Sequence, residues 1–92
     1  MLTAFVMIQC EPDRIVDIGQ SIANTPHVAE VYSVTGEYDI IAVVRLPEYD
    51  LLAEVVPQAL AHTSGILRTN TVLAFRRFSA KDLEAAWDIG VS

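Results

Sequence analysis

The chain has 92 residues, of which 52% are hydrophobic and 20% charged, and its formal net charge is −6. A single domain this small buries only about 60–65% of its unfolded surface, so this much apolar material is expected to lie partly in a subunit interface. The acidic balance argues against direct contact with nucleic-acid phosphates, and no apolar run reaches the roughly 18–20 residues a membrane-spanning helix needs, because Arg45 interrupts the longest candidate.

Residues 2–10 alternate as a strand, with Leu2, Ala4, Val6 and Ile8 on one face and Phe5 and Met7 on the other. Both faces are apolar, as in a sheet covered on both sides. The start has no basic region and no small-residue cleavage site, which points to a cytoplasmic location. Cys10 is the only cysteine. An intramolecular disulfide is therefore impossible, a cysteine-based metal site is unsupported, and Cys10 is expected as a small buried hydrophobe.

Glu11-Pro12-Asp13 opens a helix, since proline and acids suit a first turn. Ile15, Ile18, Gly19, Ile22 and Ala23 form its apolar stripe, and Asp13, Asp17 and Gln20 take the solvent side. Asn24-Thr25-Pro26-His27 ends it. A strand from about Val28 to Thr35, a turn at Gly36-Glu37-Tyr38-Asp39, and a strand from Ile40 to Leu46 read as an antiparallel hairpin. Pro47-Glu48-Tyr49-Asp50 opens a second helix carrying Leu52, Val55, Val56 and Ala59. Pro57 is expected to kink or restart that helix. Gly65 closes the region, and a fourth strand spans roughly Ile66 to Phe78.

This order, β-α-β-β-α-β, is the α+β, ferredoxin-like arrangement: a four-stranded antiparallel sheet with both helices on one face. The other face is left bare, with Val6, Ile41, Val43, Leu73 and Phe75 as expected occupants, and pairing two such faces would remove them from water. After Phe78, residues 79–92 read as a short helical extension with Leu83, Ala86 and Trp87 on its apolar side.

Two glycine-led segments carry the candidate chemistry. Gly36 permits the positive φ of a tight reversal, and Asp39 can bond nearby amides while offering a carboxylate oxygen to a ligand. The second is Gly65-Ile66-Leu67-Arg68-Thr69-Asn70-Thr71, where Thr69 and Thr71 offer hydroxyls. Each has a plainer reading: Gly36 and Asp39 as ordinary turn residues, and the threonines as ordinary strand formers. Tyr32 and Tyr38 suit interface or core positions. His27 and His62 lie far apart, without an accompanying nucleophile or metal spacing, and are expected at surface or capping positions.

The element order, the Gly36-x-x-Asp39 turn and the Gly65-Ile66-x-x-Thr69-x-Thr71 strand together resemble the ligand-binding (RAM) domain of the Lrp/AsnC transcriptional regulators. The resemblance covers residues 1–78. It implies sheets paired into a dimeric α/β barrel, a homodimer assembling into an octamer-like ring, and an amino acid or related small effector bound between dimers. Carried over by position, Gly36, Glu37, Tyr38 and Asp39 line the effector turn, and Thr69 and Thr71 neighbour it. Asp39 would accept from an ammonium group, and turn amides and threonine hydroxyls would hold a carboxylate. No cofactor, metal or catalytic residue is implied. Full members carry an N-terminal helix-turn-helix domain, whereas strand one here begins at the first residues, so the chain reads as a stand-alone module whose DNA contact would come from full-length regulators. Two other readings stand beside this one: a small dimeric-barrel enzyme of monooxygenase type, and a purely structural assembly module.

Overall fold

The computed structural model describes residues 1–61 and 63–80. Four strands, β1 (Leu2–Cys10), β2 (Val28–Ser33), β3 (Ile40–Leu46) and β4 (Ile66–Leu73), and two helices, α1 (Ile15–Ala23) and α2 (Leu52–Ala61), follow the βαββαβ order. Each helix is entered through a short 3₁₀ turn, Pro12–Arg14 and Tyr49–Leu51. The acid-rich segments thus form tight lead-in turns, and the α-helices begin a few residues later than the local sequence signals suggest. The expected C-terminal helix and Trp87 lie outside the described residues, as does His62.

The sheet is antiparallel throughout, in the order β2-β3-β1-β4. Directly opposed residues share a face, so the register assigns every strand position to one side. Ala4, Val6, Ile8 and Cys10 of β1 and Ile40, Ala42, Val44 and Leu46 of β3 form the face under the helices, and all are buried. Ile18 and Ile22 of α1 and Val55 of α2 complete the core. The α1 stripe accordingly packs through its isoleucines, while Ala23 at its end is exposed.

The opposite face carries Phe5 and Met7 of β1, Ile41 and Val43 of β3, Val72 of β4 and Tyr32 of β2. Three residues expected there are elsewhere. Val6 belongs to the helix side, as the strand alternation itself requires, and Leu73 pairs with Ala4, which places it on the helix side too. Phe75 lies beyond the strand and is 99% exposed.

β4 stops at Leu73 rather than continuing to Phe78, because its partner runs out: Leu73 opposes Ala4, the Ala74 amide bonds the Thr3 carbonyl, and β1 begins at Leu2. β2 likewise ends at Ser33, short of Thr35. Helix α2 continues through Pro57 rather than restarting there. The exposed ring removes one backbone bond, and Leu52, Val56 and Leu60 packed on the core hold the helix across it. Each edge strand bears an irregularity, at Leu67 opposite Gln9/Cys10 and at Ala29 between Val28 and Glu30. Such an extra residue sharpens local twist.

Candidate functional site

The turn between β2 and β3 begins from a glycine that needs to be one: Gly36 has φ +116°, a region costly for any side chain. From there the chain passes Glu37 and Tyr38 and re-enters the sheet at Asp39, which is tied at three points. Its amide donates to the Ile8 carbonyl at 2.8 Å, its carbonyl accepts from the Val34 amide at 2.9 Å, and its carboxylate Oδ2 accepts from the Cys10 amide at 2.9 Å. The side-chain bond spans 29 residues of sequence. Asp39 therefore stitches the turn to the end of β1, and its other oxygen, Oδ1, has no bond among the described residues that would compete with a ligand donor.

Cys10, on the other side of this bond, is buried at 3% exposure. Burial pushes its thiol pKa up, and the carboxylates of Asp39 and Glu11 add to the shift. A thiol held neutral in this way is a packing group rather than a nucleophile.

Glu37 and Tyr38 meet a residue that sequence reasoning did not single out. Arg68, on β4, reaches over the end of β1 so that its guanidinium stacks 5.0 Å from the Tyr38 ring centroid, while Nη2 donates to the Glu37 carboxylate. The Glu37 carboxylate raises the guanidinium pKa further, with Tyr38 contributing. The signal that could have found Arg68 is its place beside Thr69 in the glycine-led strand, where the threonine hydroxyls offer the more obvious donors for an effector.

Thr69 and Thr71 are placed differently. They oppose Ile8 and Val6, which puts them on the helix side of β4, and Thr71 lines a shallow groove with Tyr49, Leu52, Ala53, Val56 and Pro57 of the α2 region. Strand β1 separates them from Asp39 within one chain. The structure thus brings Gly36, Glu37, Tyr38 and Asp39 together with Arg68, and holds Thr69 and Thr71 on another strand.

A second polar cluster marks the far rim of the open face, where Glu30 accepts from the Tyr32 hydroxyl and from Arg45, the latter at 3.3 Å. The Tyr32 hydroxyl and then Arg45 hold the Glu30 carboxyl below its ordinary pKa. His27 adopts φ +72° where α1 passes into β2, and its carbonyl accepts from the Arg45 amide. Among the described residues no helix is long and apolar enough to cross a membrane.

The family model for the Lrp/AsnC ligand binding domain matches residues 3–83. The chain belongs to that family. A solved structure, TTHA0845 from Thermus thermophilus, is 48% identical with a TM-score of 0.80, over 86% of this chain and 99% of that one. The HTH-type transcriptional regulator PF0250 of Pyrococcus furiosus is 34% identical over 76 residues, which are 79% of this chain and 51% of that protein. This Lrp/AsnC domain therefore spans about half the length of the curated relatives it matches. The feast or famine regulatory protein Rv3291c from M. tuberculosis, solved in complex with L-methionine, is 25% identical with a TM-score of 0.65, over 87% of this chain and 54% of that one. Family members are transcriptional regulators, and the ferredoxin-like fold is the one the Lrp/AsnC domain shares with them.

Proposed function

We propose that this Lrp/AsnC domain is a non-enzymatic, cytoplasmic effector-sensing and assembly module that binds an amino acid at the Gly36–Asp39 turn. The observation that carries the reading is the anchored turn: a glycine-opened loop whose Asp39 is held in place by three hydrogen bonds while one carboxylate oxygen meets no partner among the described residues. A preorganised acceptor suits an ammonium group. The methionine complex of a relative with the same fold supports an amino acid as the ligand class.

The same geometry supports assembly. The open sheet face presents Phe5, Met7, Ile41 and Val72, and a second copy laid on it would form the dimeric α/β barrel. Thr69 and Thr71 face the helix side of β4, across β1 from Asp39, and in this reading they come to the pocket from another copy, at a site between dimers of a larger ring. In this reading mixed assembly with full-length regulators supplies the contact to DNA.

Native mass spectrometry with each of the twenty amino acids reads subunit number and bound mass together. An even-numbered assembly that gains one amino-acid mass, or changes subunit number with it, is the expected result. A constant assembly without added mass would overturn the sensing half. Asp39→Asn, which keeps an acceptor for the Cys10 amide but drops the charge, should stay assembled and lose the ligand.

A further inference from the structure

We propose that Arg68 is the seat of the effector's carboxylate and that Glu37 is its resident competitor. The inference rests on the reading that an amino acid binds at the Gly36–Asp39 turn, and it adds the group that recognises the ligand's other charge.

Arg68 and Glu37 come from opposite sides of β1, and only the strand order β2-β3-β1-β4 brings them together. The Arg68 guanidinium carbon lies 5.0 Å from the centroid of the Tyr38 ring, a cation-π contact that positions the charge beside the turn while half of the side chain stays exposed. A guanidinium has five N–H donors in one plane, and the contact to Glu37 runs from Nη2 to Oε1 alone. The arrangement is a cation positioned by an aromatic platform, carrying a single-point carboxylate where a two-point one could sit.

The occupant is weakly held. The Arg68 and Glu37 side chains are 49% and 68% exposed, and exposed pairs of this kind contribute little because water screens them. A ligand carboxylate that presents both oxygens to the fork makes a bidentate contact and displaces Glu37. Asp39 and Arg68 then stand as an acceptor and a donor of opposite charge flanking one turn, the pattern a zwitterionic α-amino acid requires. Glu37 sets the threshold: it lowers apparent affinity by competition, as any state that must be vacated before binding does.

The test uses the full chain. The twenty L-amino acids are titrated one by one into wild type, Glu37→Gln, Arg68→Gln and Arg68→Lys by native mass spectrometry, and the best binder is compared with its own carboxamide by calorimetry. Glu37→Gln should bind up to about fivefold more tightly than wild type, the removal of a weak surface competitor. Arg68→Gln should bind about tenfold or more weakly, since it loses a charge-assisted contact, and Arg68→Lys should not restore it. Wild type should discriminate the acid from its carboxamide, and Arg68→Gln should lose much of that discrimination, which a merely structural Arg68 would leave unchanged. If wild type binds an amino acid while Arg68→Gln binds equally well with the same acid-to-amide ratio, the role of Arg68 is overturned and the turn site stands. If Glu37→Gln does not tighten binding, the competitor role is overturned. If neither wild type nor Glu37→Gln binds any amino acid, the turn site itself falls, and the proposal with it.

Discussion

The two faces of the sheet are made from the same kind of residue and differ in what covers them. Under the helices, Ala4, Val6, Ile8, Ile40, Ala42, Val44 and Leu46 are all within 4% of full burial. On the other face Phe5 is 38% exposed, Val72 43% and Tyr32 51%. Apolar content alone does not separate a core from a surface. The helix face is closed by Ile18, Ile22 and Val55 from the same chain, whereas the open face carries comparable side chains and, among the described residues, is bordered by two rim clusters, Glu30-Tyr32-Arg45 on one side and Glu37-Tyr38-Arg68 on the other. Exposed apolar surface bordered by polar groups is the pattern of a surface that receives a partner.

The sharpest way to break this contrast is to weaken the covered face. Ile18→Ala should destabilise the domain by about 2–5 kcal/mol, because a fully buried isoleucine loses its transfer energy and leaves a cavity; urea unfolding measures it. A loss below about 1 kcal/mol would mean the helix side is not the core. Asp39→Ala acts at the turn that both faces share. It leaves the Cys10 amide without its partner and should cost about 1–3 kcal/mol, while Asp39→Asn should retain most of that stability. Equal losses in the two variants would show that charge, rather than the hydrogen bond, anchors the turn.

Phe5→Glu probes the open face. The circular dichroism spectrum should stay that of the folded domain, and the sedimentation mass should fall to that of a single chain. An unchanged mass would remove the face from the assembly. Cys10 offers a gentler readout of the covered side. Its raised pKa means that the folded chain keeps the thiol proton at pH values where the unfolded chain has released it. Stability from this source is complete below the ordinary cysteine pKa of about 8.5 and declines as pH rises from there toward the higher folded value, because the unfolded state then binds fewer protons. Thiol labelling should accordingly be slow in the native protein and fast in denaturant. The smallest effect belongs to Glu37→Gln, which should change stability by no more than about 0.5 kcal/mol, however much it changes ligand affinity.

Much of this molecule was legible in local pattern. The alternation of Ala4, Val6 and Ile8 set them on one face of β1 without saying which face the helices would cover, the spacing of Ile15, Ile18 and Ile22 named the inward side of α1, and Gly36 marked the reversal that its φ of +116° requires. The element order followed from these, and so did the fold class. Less legible were the ends. Ala74 to Phe78 has the composition of a continuing strand, but a strand needs a neighbour, and β1 begins at Leu2, one residue beyond the Thr3 carbonyl that the Ala74 amide bonds. Pro57 pointed to a kink or a restart, and the helix does not restart there: Leu52, Val56 and Leu60 packed on the core carry it through.

At the site, Gly36 and Asp39 could be read because turn chemistry is local: a positive φ and a short acceptor are written in a few adjacent residues. The family, too, was carried by residue types at fixed spacing, and the match over residues 3–83 agrees with it. Which residues then meet was settled by the tertiary structure alone. The order β2-β3-β1-β4 and the register of β4 on β1 set Arg68 beside Glu37 and Tyr38 and turned Thr69 and Thr71 toward α2. Alternation along a strand makes residues 68 and 69 point opposite ways, but it does not state which way either points; that depends on pairing between segments about sixty residues apart, which no local pattern encodes.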